Sequence, residues 1–183
     1  MNRGSTVAVV RTGVANLASV LAGLRRAGAC PVVTQDPQMV AEAPRLVLPG
    51  VGSFGAAMER LEANGLTKPL AARIRAGRPT LAICLGMQLL ASASEENPDV
   101  AGLGVLNTRV TRLRAPRTPQ LGWNRVEPGL DCILLRGGFA YFAHSYCLRH
   151  PPPGWRVAFV QFGERVVAAL ERDEILACQF HPE

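Results

Sequence analysis

Several residue types that mark particular classes of protein are scarce in this chain of 183 residues. Aromatic residues make up only 5% of it, and none is interleaved with its densest arginine group, which comprises Arg109, Arg112, Arg114 and Arg117. Proteins that stack nucleic-acid bases need such interleaved aromatics. The net charge of +6 therefore predicts a solvated or partner-facing surface and no nucleic-acid partner.

Closely spaced cysteines and long apolar runs are also missing. The five cysteines are odd in number and form no C-x-x-C pair, so the sequence predicts neither a zinc site nor a disulfide framework. We expect a reducing compartment, the cytoplasm. The apolar run near the N-terminus covers only residues 7–10, which is too short for a signal peptide or a membrane span.

Hydrophobic residues are abundant at 48%, against 19% charged residues, and a chain of this size can bury a full core. Apolar strands, the first at 7–10 and the last at 80–83, alternate with amphipathic helices and lack the period-two polarity of half-exposed strands. Beyond Pro98, shorter apolar runs such as residues 133–135 suggest antiparallel strands and surface loops. We predict one α/β domain over residues 1–183, with a mostly parallel central sheet flanked by helices and additional antiparallel strands.

The segment Ala82-Ile83-Cys84-Leu85-Gly86 ends an apolar strand and begins a predicted helix that carries Leu89 and Leu90. Small residues two positions on either side of a nucleophile permit the sharp strand-to-helix turn called a nucleophile elbow. On that turn the Cys84 thiol lies at the positive end of the helix, and the Leu85 amide can face a developing oxyanion. The alternative for Cys84 is a small buried hydrophobe, as most free cysteines are.

A nucleophilic thiol needs a base, and the chain has only three histidines: His144, His150 and His181. The motif His181-Pro182-Glu183 follows a predicted strand, so residues 181 and 183 can project to the same side. The carboxylate can then orient the imidazole and stabilise its charged form. Cys84, His181 and Glu183 are therefore a possible triad, whereas a histidine at a strand end, taken alone, is more often structural.

A third element is the loop Pro49-Gly50-Val51-Gly52, between a predicted strand and a predicted helix. Its glycines let backbone N–H groups approach a substrate or rotate toward an oxyanion. An ordinary strand-to-helix turn explains this loop equally well when it is considered alone.

In combination these motifs resemble the class I glutamine amidotransferases and, among them, the glutaminase subunits of imidazole glycerol phosphate synthase. The elbow and the His-Pro-Glu motif are typical of the whole superfamily. Residues 49–54 (PGVGSF), 122–124 (GWN) and 141–146 (YFAHSY) narrow the resemblance to these subunits.

The resemblance implies a glutaminase in which Cys84 is the nucleophile, His181 the base and acid, and Glu183 its orienting partner. It assigns the oxyanion hole to the amides of Val51 and Leu85. The flanking residues Gly50 and Gly52 would give that loop freedom to turn. No metal and no organic cofactor is implied, because the thiolate itself supplies the nucleophile.

The resemblance also implies a substrate site and a partner. Four residues would hold the amino-acid end of glutamine: Gln88, Glu96, Ser145 and Tyr146. The partner would be the cyclase subunit of the synthase, which would receive the ammonia in a heterodimer used in histidine biosynthesis. Three residues would face this subunit: Asn16, Trp123 and Tyr141. Core packing is the alternative for the two aromatic residues.

Two departures from the family stand out. Ala82 takes the place of a glycine that is usual at the elbow, and the chain stops at Glu183 where relatives continue into a closing helix, so we expect a further C-terminal tail. Two other functions remain open from the sequence: a glutaminase subunit serving another pathway, such as aromatic amino-acid or pyridoxal phosphate synthesis, and a non-catalytic binding module on the same fold.

Overall fold

The computed structural model describes residues 5–13 and 17–183. Helices and strands follow one another in this order: β1 (Thr6–Val10), α1 (Leu17–Arg26), β2 (Cys30–Thr34), α2 (Pro37–Glu42), β3 (Leu46–Gly50), α3 (Phe54–Ala63), α4 (Thr67–Arg75), β4 (Thr80–Cys84), α5 (Leu85–Gln88), β5 (Ala91–Ser94), β6 (Leu106–Arg112), β7 (Gln120–Pro128), β8 (Gly138–His144), β9 (Tyr146–Cys147), β10 (Arg156–Phe162), β11 (Glu164–Arg172) and β12 (Ile175–Cys178). Within the described part of the chain, nine strands form one sheet in the order β2-β1-β3-β4-β12-β11-β10-β7-β8.

One half of this sheet is parallel and comprises β2, β1, β3, β4 and β12. The inner strands β1, β3 and β4 are almost wholly buried, as expected where helices cover both faces of a parallel sheet. Alternate residues of β1 enter different apolar clusters: Ala8 and Val10 pack with residues of α3 and α4, whereas Val7 and Val9 pack with Val20 of α1. The predicted α/β fold is confirmed, and that residues 1–183 form one domain stays a prediction.

The other half of the sheet is antiparallel and comprises β11, β10, β7 and β8. The strand expected from the apolar run at 133–135 is absent, and these residues form a loop. The buried carboxylate of Glu171 accepts hydrogen bonds from the amides of Ile133, Leu134 and Leu135 at 2.8, 3.1 and 2.5 Å. Since these amides donate to a side chain, they cannot donate to a neighbouring strand.

The helix after Cys84 is shorter than the sequence suggests. It ends at Gln88, so Leu89 and Leu90 lie beyond it, although both are fully buried. The carbonyl of Leu90 accepts hydrogen bonds from the amides of Val105 and Leu106, which draws the chain out of the helix and toward β5 and β6. Among the described helices, none is long and apolar enough to cross a membrane.

Candidate active site

The elbow is built by close backbone approach at the carboxyl ends of β3 and β4, where Gly50 lies beside Cys84. Cys84 has φ 53° and ψ −111°, in the left-handed region that side chains rarely adopt. A Cβ on Gly86 would lie 2.0 Å from the Leu48 carbonyl oxygen, and one on Gly50 would lie 2.9 Å from the Gly86 nitrogen. Both positions therefore require glycine. Ala82, two residues before the cysteine, is accommodated with its side chain fully buried.

His181 and Glu183 reach the same edge because β12 lies next to β4 in the sheet. Nδ1 of His181 lies 3.1 Å from Oε1 of Glu183, and its imidazole also makes a hydrogen bond to Cys84. The backbone amide of His181 donates to the Tyr141 carbonyl at 2.9 Å, which fixes the residue against β8. The three residues of the predicted triad thus meet at one site, although they come from two separate strand ends.

The electrostatics of this group favour an imidazolium. The hydrogen bond to Cys84 and the one to Glu183 raise the pKa of His181 to about 10, against an opposing effect of burial. Burial is the largest single influence on the pKa of Glu183 and would raise it, but the hydrogen bond from His181, a backbone hydrogen bond and the charge of His181 together hold that pKa below its usual value. His181 is therefore positively charged at neutral pH, beside a carboxylate and a sulfur.

The loop after β3 is held at both ends. The Thr12 hydroxyl donates to the Pro49 carbonyl at 3.2 Å, and Oε2 of Glu96 accepts from the Phe54 amide at 2.8 Å. Between these anchors, Gly52 has φ 92°, a conformation that favours glycine. Val51 and Gly52 line the same cavity as Leu85, so the predicted oxyanion residues are adjacent to the cysteine.

This cavity has a volume of about 760 Å³, and the four predicted substrate residues line it: Gln88, Glu96, Ser145 and Tyr146. Gln88 donates from Nε2 to the Tyr146 carbonyl at 2.9 Å and to Oε1 of Gln179 at 3.0 Å. A primary amide has two N–H donors, so both are used inside the protein. Only the Oε1 atom of Gln88 is left to meet a ligand, and it can only accept a hydrogen bond.

The predicted partner residues Trp123 and Tyr141 lie opposite each other on β7 and β8, at the mouth of the cavity. Their rings pack edge to face with centroids 5.9 Å apart, yet the Trp123 side chain is 72% exposed. Core packing is therefore wrong for Trp123. Leu121 and Phe139 on the same two strands are similarly exposed, which makes an apolar patch. Asn16, the third predicted partner residue, lies outside the described residues.

Two residues in or near the cavity have no role in the sequence reasoning. His144 is buried, and burial lowers its pKa to about 4, so its ring is neutral beside the charged His181. Gln179 is fully buried, and its Nε2 lies 3.6 Å from the Cys84 sulfur. His144 belongs to the YFAHSY segment, and Gln179 lies two residues before His181, but nothing in the sequence around either residue indicated its contacts.

Nearly the whole chain matches one family of known proteins. The model for "Glutamine amidotransferase class-I" matches residues 13–183. Two solved structures share the fold: a glutamine amidotransferase with TM-score 0.78 and 20% identity, covering 96% of this chain and 89% of that one, and a glutamine amidotransferase from Thermotoga maritima with TM-score 0.65 and 16% identity, covering 97% and 75%. The chain belongs to the class I glutamine amidotransferases.

Relatives in sequence identify the branch of the family. A protein of Symbiobacterium thermophilum named "Imidazole glycerol phosphate synthase subunit HisH" is 43% identical over 182 residues, covering 97% of this chain and 86% of that protein. A protein of Methanothermobacter thermautotrophicus with the same name is 43% identical over 181 residues, covering 97% and 90%. The resemblance predicted from the motifs is thereby confirmed: within the class I family, the chain groups with the HisH subunits.

Proposed function

We propose that this chain hydrolyses glutamine to glutamate and ammonia at Cys84 and delivers the ammonia to the cyclase subunit of imidazole glycerol phosphate synthase, for histidine biosynthesis. One observation carries the catalytic part: Cys84, His181 and Glu183 meet at the carboxyl edge of the parallel strands, beside the glycine loop after β3. The names of the HisH relatives support the partner and the pathway. The free thiols of all five cysteines fit a reducing compartment such as the cytoplasm.

The first half-reaction uses the Cys84 sulfur and the neighbouring imidazolium of His181. The Cys84 thiolate attacks the side-chain carboxamide carbon of glutamine, and the oxyanion that forms accepts hydrogen bonds from the amides of Val51 and Leu85. His181, protonated at neutral pH because its pKa is raised to about 10, gives its proton to the departing nitrogen. The C–N bond breaks, ammonia leaves, and a glutamyl thioester remains on Cys84.

The second half-reaction uses the same histidine as a base. In the thioester the sulfur is a much poorer hydrogen-bond acceptor, so the hydrogen bond to Cys84 that contributes most to the raised pKa of His181 is weakened. The imidazole can then take a proton from water while Glu183 keeps the ring in place through its Nδ1 contact. Water adds to the thioester carbon, the C–S bond breaks, and glutamate and the thiolate are released.

The amino-acid end of glutamine is held by groups of opposite character. Gln88 can only accept through Oε1, and Glu96 retains acceptor capacity beyond its bond to the Phe54 amide, so these two residues suit the α-ammonium group. The α-carboxylate would then lie toward the Ser145–Tyr146 backbone, which also lines the cavity.

Two features suggest how the partner controls the reaction. The Gly50-Val51-Gly52 loop can turn the Val51 amide toward or away from the oxyanion, because glycine has no Cβ to restrict the backbone and Gly52 already adopts φ 92°. Trp123 and Tyr141 present an apolar face to the cyclase, and the carbonyl of Tyr141 is bonded to the amide of His181. Docking on that face can therefore bear directly on the catalytic residues.

The decisive experiment is a glutaminase assay of the chain alone and with the cyclase and its acceptor ligand. We expect low activity alone, a large rise in the complex, and loss of at least about 10³-fold in Cys84→Ala. Cys84→Ala should still form the complex, and Cys30→Ala, which changes an exposed cysteine, should behave as the parent chain. Glutamate release by Cys84→Ala would refute the catalytic role, and full activity in the isolated chain would refute control by the partner.

A further inference from the structure

Gln179 lies immediately after β12 and two residues before His181. Its side chain is fully buried, and its Nε2 is 3.6 Å from Sγ of Cys84, within the range of an N–H···S hydrogen bond. Its backbone amide donates to the Ala168 carbonyl at 2.8 Å, so the residue is anchored to the neighbouring strand. A buried amide side chain directed at a reactive sulfur is not needed for packing, because an apolar residue would fill that space without polar groups to satisfy.

The orientation of this amide follows from a chain of hydrogen bonds that starts at a backbone carbonyl. The Tyr146 carbonyl can only accept, so the group of Gln88 that faces it must be the nitrogen, Nε2. The second N–H of that nitrogen meets an acceptor on Gln179, which is Oε1 at 3.0 Å. The other end of the Gln179 amide is therefore the N–H₂ group, and it is this group that faces Cys84.

We propose that Gln179 is a further catalytic residue of the reaction, acting as a hydrogen-bond donor to the Cys84 sulfur, and that Gln88 is the positioning residue that fixes its orientation. This inference rests on the proposed glutaminase function. The sulfur thus has two donors, the His181 imidazolium and the Gln179 amide. Two donors hold the sulfur in one direction on a backbone that is already constrained at φ 53°.

The donor matters most in the second half-reaction. When water has added to the thioester, the C–S bond breaks and its electron pair returns to sulfur, while the proton taken from water resides on His181. An N–H group bonds weakly to a thioester sulfur and strongly to a thiolate, because a charged acceptor strengthens the bond. Gln179 therefore stabilises the transition state of C–S cleavage more than the thioester that precedes it, and its own proton is not transferred.

The test compares Gln179→Met with the parent chain, each assembled with the cyclase and its acceptor ligand. Methionine has a similar length but no N–H donor, so we expect the hydrolysis of the thioester to slow by about tenfold or more. If hydrolysis of the thioester becomes rate-limiting, kcat and KM should fall together, and kcat/KM should change much less. Rapid acid quench followed by intact-mass measurement should then find the glutamyl adduct on a larger fraction of Gln179→Met molecules than of parent molecules. A purely structural role would not produce this accumulation.

Two further variants sharpen the test. Gln161→Met, a change of the same type at an exposed position of β10, should leave kcat, KM and the adduct fraction unchanged. Gln179→Glu should lose kcat progressively as the pH rises from 6 to 9, because a protonated carboxyl can donate to sulfur and a carboxylate cannot.

Several results would overturn the inference. An unchanged kcat in Gln179→Met would do so, as would equal losses of kcat and kcat/KM without accumulated adduct, or a defect in Gln179→Glu that does not depend on pH. Cys84→Ala separates this failure from that of the proposed function: if that variant is inactive while Gln179→Met keeps the parent kcat, the glutaminase stands and the role of Gln179 does not.

Discussion

The parallel and antiparallel halves of the sheet differ in which residues they bury and which they expose. In the parallel half, β3 is buried along its whole length, and three neighbouring strands end in Gly50, Cys84 and the segment that leads to His181. In the antiparallel half, β7 and β8 expose one face, with Leu121, Trp123 and Phe139 open to solvent. The first half thus gathers the reactive groups, and the second presents a surface.

The difference follows from how the strands are connected. Parallel strands need helical crossovers, which bury both faces and bring all carboxyl ends to one edge, where ligands bind in such folds. Antiparallel hairpins need only short turns and leave one face free. The two halves join where β12 pairs with β11, and the His181 amide also donates to the Tyr141 carbonyl, so the exposed face is one hydrogen bond from the proposed catalytic base.

The largest effect is expected from breaking the parallel half at its tightest point. Gly86→Ala places a Cβ 2.0 Å from the Leu48 carbonyl oxygen, and neither backbone can yield without disturbing the elbow. We expect a loss of about 3 kcal/mol or more in the free energy of unfolding, together with loss of glutaminase activity. The measurement is denaturant unfolding of the purified chain.

Gly138→Ala in β8 is the matched change in the antiparallel half. An added Cβ there meets no atom within 4 Å, so we expect a change within about 0.5 kcal/mol. Equal destabilisation by the two substitutions would contradict the view that the elbow is the more constrained region.

A smaller effect is expected from removing the charge that orients His181. Glu183→Gln keeps a hydrogen-bond acceptor but removes the carboxylate, which should lower the pKa of His181 and reduce kcat by about 10- to 100-fold. The measurements are kcat in the complex and an NMR titration of the His181 ring. Glu59→Gln, at an exposed position of α3, is the control, and an unchanged His181 titration in Glu183→Gln would argue against this role.

The contributions of His181 and His144 to the free energy of unfolding should depend on pH in opposite directions. The pKa of folded His181 is about 10, above the unfolded value near 6.5, so its contribution is complete below pH 6.5 and is lost as the pH rises toward 10. The pKa of folded His144 is about 4, so its contribution is present above pH 6.5 and is lost as the pH falls toward 4.

Urea unfolding of the parent chain, His181→Gln and His144→Gln across pH 5 to 9 would separate these contributions. Each should be on the order of 1–3 kcal/mol over its window. If the contributions of both histidines to the free energy of unfolding were lost at acidic pH, or both at alkaline pH, the assignment of one charged ring and one neutral ring would be wrong.

The smallest effect concerns the exposed face. Trp123→Ala should weaken binding of the cyclase by about tenfold without changing the stability of the free chain, because the side chain is 72% exposed before docking. Val32→Ala changes a partly exposed residue of β2, at the opposite edge of the sheet, and should not affect binding. A calorimetric titration that finds equal affinities for Trp123→Ala and the parent would remove this face from the interface.

Local pattern was sufficient for the parts of the fold that depend on neighbours in sequence. The strand-to-helix turn at Cys84 and the helix that begins at Phe54 follow from apolar runs and small residues, and both are present. The run at 133–135 does not form a strand, because a distant carboxylate, Glu171, takes its amide donors. The helix after Cys84 stops at Gln88 for a similar reason, since a later segment pairs with Leu90.

The sequence by itself determined the residue types that the chemistry needs: a cysteine between small residues, glycines where backbones touch, and a histidine and glutamate two positions apart. The tertiary structure alone decided which of these groups acquire charge and partners. Burial keeps His144 neutral while His181 beside Cys84 is protonated, and the hydrogen bond from Gln88 directs the Gln179 amide toward the sulfur. The physical reason is that pKa values and hydrogen bonds depend on distance and solvent exposure in three dimensions, which spacing along the chain does not specify.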